Sequence, residues 1–99
     1  MRCSTIRFSG HALQSMFARG IRTEDVEQAL FAYEVVADYP EDKPYSSRLI
    51  LAWVSLNQMK LPLHVVVEQN SEDEACYVIT AYIPSSELWH DDFKTRRPL

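Results

Sequence analysis

Leu61-Pro-Leu-His-Val-Val-Val67 and Tyr77-Val-Ile-Thr-Ala-Tyr-Ile83 are two apolar, β-branched runs separated by an acid-rich segment. Runs of Val, Ile and Tyr suit a pleated, half-buried surface, and the polar segment between them suits a reversal of the chain. The pair predicts an antiparallel hairpin. With its centre near Glu72, His64 faces Thr80 and Val66 faces Val78, and Tyr82 follows two residues along on the same face. A slip of one residue sets His64 opposite the other set of side chains. The hairpin makes this a sheet protein with an imidazole, a hydroxyl and a phenol on one rigid surface.

Working outward, Arg48 to Leu56 reads as a strand with apolar residues on both faces, which marks a central position. Asn57-Gln-Met-Lys60 is the turn that leads into the hairpin. Glu34 to Tyr39 is a further strand, followed by a charged loop, Pro40 to Ser47, with two prolines. Thr5 to Phe8 has the composition of a short strand.

Between these strands the period changes. Ser9 is placed to cap a helix in which Ala12, Leu13, Met16 and Phe17 share one arc as the core face. Gly20 is placed to end it in a left-handed conformation. Thr23 is placed to cap a second helix of about three turns, with Glu24 and Asp25 at its positive end and Val26, Ala29, Leu30 and Tyr33 at i, i+3, i+4 and i+7. Trp53 is expected in the core. Tyr39 and Tyr45, flanking the proline-containing loop, are candidates for surface stacking. Ser85 or Ser86 is placed to cap a short helix carrying Leu88 and Trp89, and the polar tail from Asp91 is expected to be mobile.

These elements predict an α+β domain spanning residues 1–99, with a core over about 5–90 and a polar tail over 91–99. Two N-terminal helices pack on one face of a four-stranded antiparallel sheet, leaving the other face partly open.

The chain has 99 residues, a formal charge of −4 and 46% hydrophobic content. The length fits one domain with a small core. The charge argues against a protein held on nucleic acid by net charge alone. No apolar run is long enough to cross a bilayer, and the N-terminus lacks a secretory apolar stretch, so the expected compartment is the cytoplasm, with no membrane partner. Cys3 and Cys76 match no ligand spacing and read as two free thiols in a reducing compartment.

His11, His64 and His90 lack the close spacing of a zinc site, so no metal and no cofactor are expected. No phosphate-cradling glycine loop, nucleophile elbow or activated cysteine is visible. Two readings of His64 stand side by side: a half-buried histidine bonded to a neighbouring hydroxyl, or a proton-transfer group. Arg19 likewise reads as a phosphate-binding fork or as a cation suited to a helix C-terminus.

An ordered set of pieces carries a resemblance. His11-Ala12, Met16, Arg19-Gly20-Ile21, the Val26 helix, Tyr39-Pro40, Asp42, Pro44-Tyr45, Leu63-His64-Val65-Val66, Ile79-Thr80-Ala81-Tyr82, Pro84 and Trp89 together resemble the domain-of-unknown-function family numbered 4258. That family is grouped with RelE-like and MqsR-type toxins, within a wider set that includes barnase-like nucleases. The resemblance implies a RelE-like or barnase-like fold and metal-independent RNA cleavage by a type II toxin. Its implied partners are a cognate antitoxin protein and RNA or the ribosome.

On that resemblance His64 is the general base or acid, Tyr82 a second proton donor or a stacking group, and Thr80 a phosphate-positioning hydroxyl. His11 and Arg19 bind phosphate from the helix edge. Apart from the resemblance, Arg48 is a further candidate substrate-binding cation, one of the basic residues that can form a local patch on an acidic protein. Members often carry a basic residue just before the methionine of the first helix; Ser15 stands there in this chain. The alternative is a catalytically inactive binding module acting through a protein partner. A homodimer through an edge strand is the third expectation.

Overall fold

The computed structural model describes residues 2–98; Met1 and Leu99, the ends of the expected domain, lie outside the described residues. The elements run β1 (Thr5–Phe8), α1 (Gly10–Ala18), α2 (Thr23–Ala29), β2 (Glu34–Tyr39), β3 (Ser47–Leu56), β4 (Met59–Gln69) and β5 (Ala75–Tyr82).

The sheet corrects the expected four-stranded antiparallel arrangement. It has five strands in the order β1-β5-β4-β3-β2 and is mixed, because β1 runs parallel to β5, with Thr5 opposite Ala75 and Phe8 opposite Val78. The α+β class is compatible with this sheet. The parallel pair is made possible by the crossover through both helices and the antiparallel strands. It is bound covalently as well: Cys3 and Cys76 form a disulfide rather than two free thiols.

Local chemistry explains the element ends. Ser9 caps α1 by accepting the Ala12 amide at 3.0 Å. Gly20 adopts φ 72° after the helix, in the left-handed region that glycine enters without a Cβ penalty. In α2 the cap position is Arg22, one residue before the expected Thr23; buried Asp25 accepts the Arg22 amide at 2.8 Å. Between β3 and β4 the reversal takes two residues, Asn57 (φ 51°) and Gln58 (φ 67°), with Leu56 opposite Met59. Two successive positive φ angles match the right-handed twist of a tight hairpin.

Both helices lie on one sheet face. Met16, Ile21, Val26 and Ala29 meet Ile50, Ala52, Val54, Leu63, Val65, Val67, Cys76, Val78 and Ala81 in a single buried cluster. The expected core face of α1 is only half right. Ala12 and Met16 are buried, but Leu13 is exposed and Phe17 is 88% exposed. A helix of nine residues resting on a twisted sheet presents a narrower stripe than its apolar positions offer.

The second face is where the expected open surface fails. The chain beyond β5 folds back over it instead of trailing away. Trp89 and Arg96 form an isolated antiparallel bridge. Arg97 Nε donates to the carbonyls of Ser86 (2.8 Å) and Trp89 (2.9 Å). Asp92 accepts the amides of Lys94 (2.9 Å) and Thr95 (3.1 Å). We call residues 84–98 the strap. Trp53, expected in the core, points to this second face at 47% exposure and meets Phe93 of the strap edge-on, centroids 5.9 Å apart.

Candidate functional site

The β4–β5 register brings His64 opposite Tyr82 and Val66 opposite Thr80, whereas Val67 lies opposite Val78. Ile79 is therefore an extra residue, a β-bulge. The turn sits half a residue later than a centre at Glu72 implies, and the bulge restores the parity. His64, Val66, Thr80 and Tyr82 thus share the second face, with Tyr82 rather than Thr80 directly across from His64.

His64 is completely buried. Its Nε2 lies 2.7 Å from the Phe93 carbonyl and its Nδ1 3.2 Å from the Tyr82 hydroxyl. A carbonyl can only accept, so the ring proton sits on Nε2; in the neutral ring Nδ1 then accepts from the Tyr82 O–H. The Trp89 ring stands edge-on to the imidazole, centroids 4.7 Å apart. Burial pushes the His64 pKa below its ordinary value of 6.5, partly opposed by the Phe93 carbonyl, which favours the protonated ring.

Phe93 has φ 55°, a conformation that costs a bulky residue free energy. Its amide donates to His90 O at 2.8 Å, and its carbonyl holds the histidine.

The shift sets a pH dependence. The unfolded chain binds the His64 proton more readily than the folded one. The resulting stability is fully present above about pH 6.5 and is lost as the pH falls from there through the lower folded pKa. Urea midpoints of wild type, compared with His64→Gln over pH 7.5 to 5, are expected to fall only in the wild type. Parallel pH dependences would place the His64 proton elsewhere.

Tyr82 is half-buried. Burial raises its pKa, as does Tyr39, and Arg96 and Arg19 pull the other way. Two guanidinium groups therefore act on one phenol. Arg19, just past α1, reaches the segment of β5 beyond Val78, where β1 has ended. Its Nη1 donates to Ala81 O at 2.9 Å and to Thr80 Oγ1 at 3.3 Å. Arg96 lies over the Trp89 ring at 5.3 Å. Neither arginine has a carboxylate partner among the described residues. Lys94, by contrast, is bound to Glu34 at 2.6 Å, and Arg97 pairs with Asp91 at 3.6 Å. Beside Tyr82 a groove of about 400 Å³ runs between strap and sheet, reaching Tyr39 of β2 and lined on the strap side by Trp89, Lys94 and Arg96.

The structure thus brings His64, Tyr82, Thr80 and Arg19 together and leaves two expected residues out. Arg48 pairs with Val67 and lies on the helix-side parity of β3, where it meets Asp38 at 3.4 Å. His11, in the first turn of α1, is exposed and makes no side-chain hydrogen bond or ion pair among the described residues. Tyr45, expected as a surface stacking group, stacks on Tyr77 at 5.6 Å. The strap residues Phe93, Lys94 and Arg96 were not anticipated; the available signal was Trp89 and Phe93, two large apolar rings in an otherwise polar tail.

A family model described as Domain of unknown function (DUF4258) matches residues 8–83. The chain belongs to this family. His64, Thr80, Tyr82 and Arg19 of this DUF4258 chain fall inside the matched span, and the strap that packs on His64 lies beyond it. No curated protein and no solved structure matches the chain. Among the described residues, no three His, Cys, Asp or Glu side chains are grouped to hold a metal ion, and no helix is long and apolar enough to cross a membrane.

Proposed function

We propose that this DUF4258 chain is a toxin-like endoribonuclease that cleaves RNA without a metal, acting in the cytoplasm and restrained by a protein antitoxin. The observation that carries the reading is the Tyr82 hydroxyl. It is hydrogen-bonded to a buried imidazole and feels two arginines, Arg19 and Arg96, that have no carboxylate partner among the described residues of an acidic protein.

RNA cleavage needs a base for the 2′-hydroxyl, an acid for the leaving 5′-oxygen, and positive charge for the phosphorane. His64 lies too deep to touch RNA and serves as a relay. As the 2′-oxygen attacks phosphorus, its proton passes to the Tyr82 oxygen while the Tyr82 proton passes to His64 Nδ1. The imidazolium is held by the Phe93 carbonyl at Nε2. The proton then returns through Tyr82 to the leaving 5′-oxygen, giving a 2′,3′-cyclic phosphate and a 5′-hydroxyl. Arg19 and Arg96 stabilise the phosphorane, and Thr80 orients Arg19.

A second reading has one observation in its favour. His64 has both ring nitrogens bonded inside the protein, as a purely structural histidine would. A binding module that has kept the fold fits that fact. Growth of a bacterial host on tightly induced expression separates the two. The nuclease reading expects arrest by wild type and normal growth with Tyr82→Phe, which keeps the ring and removes the hydroxyl. Normal growth with both proteins, each present in folded form, supports the binding module instead.

A further inference from the structure

The groove beside Tyr82 is larger than a phosphate needs. Its floor is aliphatic, formed by Val36, Ala37, Leu49 and Val66, and Tyr39 and Tyr82 stand at its sides. Tyr39 is close enough to raise the pKa of the Tyr82 phenol. Of the strap cations at its rim, Lys94 is occupied by Glu34 and Arg96 has no carboxylate partner among the described residues. An aliphatic floor suits the face of a flat aromatic ring. The exposed Arg96 guanidinium at the rim suits the phosphate attached to it.

We propose that this groove is a nucleobase subsite taking one unpaired base, with purines preferred, and that Tyr39 sets the preference. The inference rests on the nuclease reading for its relevance to RNA, but it concerns binding alone. A volume of about 400 Å³ is that of a single small-molecule site, and a base pair with both sugars does not fit it. Trp89, Lys94 and Arg96 of the strap wall the groove on one side, so a base enters it only out of its stack. Recognition by contact with aliphatic side chains and two phenol rings scales with ring area, which favours the two-ring bases. Tyr39 is 44% exposed at the end of edge strand β2, and its replacement leaves the buried cluster intact.

Calorimetric titration with adenosine 3′-monophosphate, cytidine 3′-monophosphate and inorganic phosphate tests this. Wild type is expected to bind the adenosine nucleotide about tenfold more tightly than phosphate alone. It is expected to prefer that nucleotide to the cytidine one by about fivefold. Tyr39→Ala is expected to abolish the preference and to leave phosphate binding unchanged. Adenosine nucleotide binding no tighter than phosphate overturns the subsite; equal binding of the two nucleotides overturns the purine preference. RNA cleavage assayed beside it keeps the two claims apart. Cleavage without nucleotide binding refutes the subsite and spares the nuclease, and binding without cleavage does the reverse.

Discussion

Reduction of the Cys3–Cys76 disulfide is expected to lower the stability of the fold by about 4 kcal/mol. The bond spans 73 residues, and in the chain-entropy account a closed loop of that length restricts the unfolded ensemble by about that amount. Native stabilities of about 5–15 kcal/mol make this a large fraction of the total. For a domain of this size the melting temperature is expected to fall by about 20 °C.

The loss also has a local target. β1 is four residues long and its only strand partner is β5, in a parallel pairing, and the disulfide anchors it two residues before the strand begins. Melting curves of wild type with and without a thiol reductant, and of Cys3→Ser, check this. The two treatments are expected to agree with each other. A shift of only a few degrees would mean that β1 is held by its strand pairing and by Ile6 and Phe8 against the core.

This bears on the compartment in which the protein works. Cytoplasmic thiols are kept reduced, so a cytoplasmic nuclease of this sequence operates with the weaker form of the fold, its β1 end loosened. Mass spectrometry of the protein alkylated directly in cells reads the state of Cys3 and Cys76.

The second large effect concerns activity. Tyr82→Phe is expected to reduce RNA cleavage by about 10²–10⁴-fold, the range for removing a positioned proton-transfer group. The fold is expected to survive, because the ring stays in place against His64 and only the hydroxyl is lost. His64 Nδ1 then lacks its partner, a stability cost of about 1–3 kcal/mol. His64→Gln can still donate to the Phe93 carbonyl but breaks the relay, so it is expected to lose activity as well. A Tyr82→Phe protein with undiminished cleavage would assign the hydroxyl to packing.

Much of the fold is legible from periodicity. The i, i+3, i+4 pattern of Val26, Ala29 and Leu30 places α2 on the core, and the caps at Ser9 and Gly20 follow from side-chain chemistry and backbone freedom. What is not legible is non-local. Thr5 to Phe8 has the composition of a strand, but its parallel partner lies about seventy residues away, and nothing in a four-residue run specifies that pairing. The bulge at Ile79 is equally silent, because an extra residue in an alternating run looks like the alternation itself.

Arg48 is a different kind of miss. Leu51 pairs with His64 and Arg48 with Val67; a two-residue and a four-residue turn after Leu56 alike pair Arg48 with an odd-numbered residue of β4. Its place on the face opposite His64 was therefore readable from the alternation of side chains. The strap is misread for a compositional reason. Asp91, Asp92, Lys94, Arg96 and Arg97 give it the polarity of a free tail, but Arg97 pairs with Asp91, Lys94 with Glu34, and Arg96 lies over Trp89, while Trp89 is buried and Phe93 packs on Trp53. Two rings decide the path of a segment whose average composition points the other way.

Single-turnover cleavage of RNA in the presence of a metal chelator tests the central claim most directly. Wild type is assayed beside Tyr82→Phe, with an all-RNA substrate and one carrying 2′-deoxy sugars throughout. The account predicts that wild type cuts the RNA to products ending in 2′,3′-cyclic phosphate, leaves the deoxy substrate intact, and loses activity with Tyr82→Phe. Folded wild-type protein that leaves the RNA whole, or that cuts the deoxy substrate equally well, contradicts it.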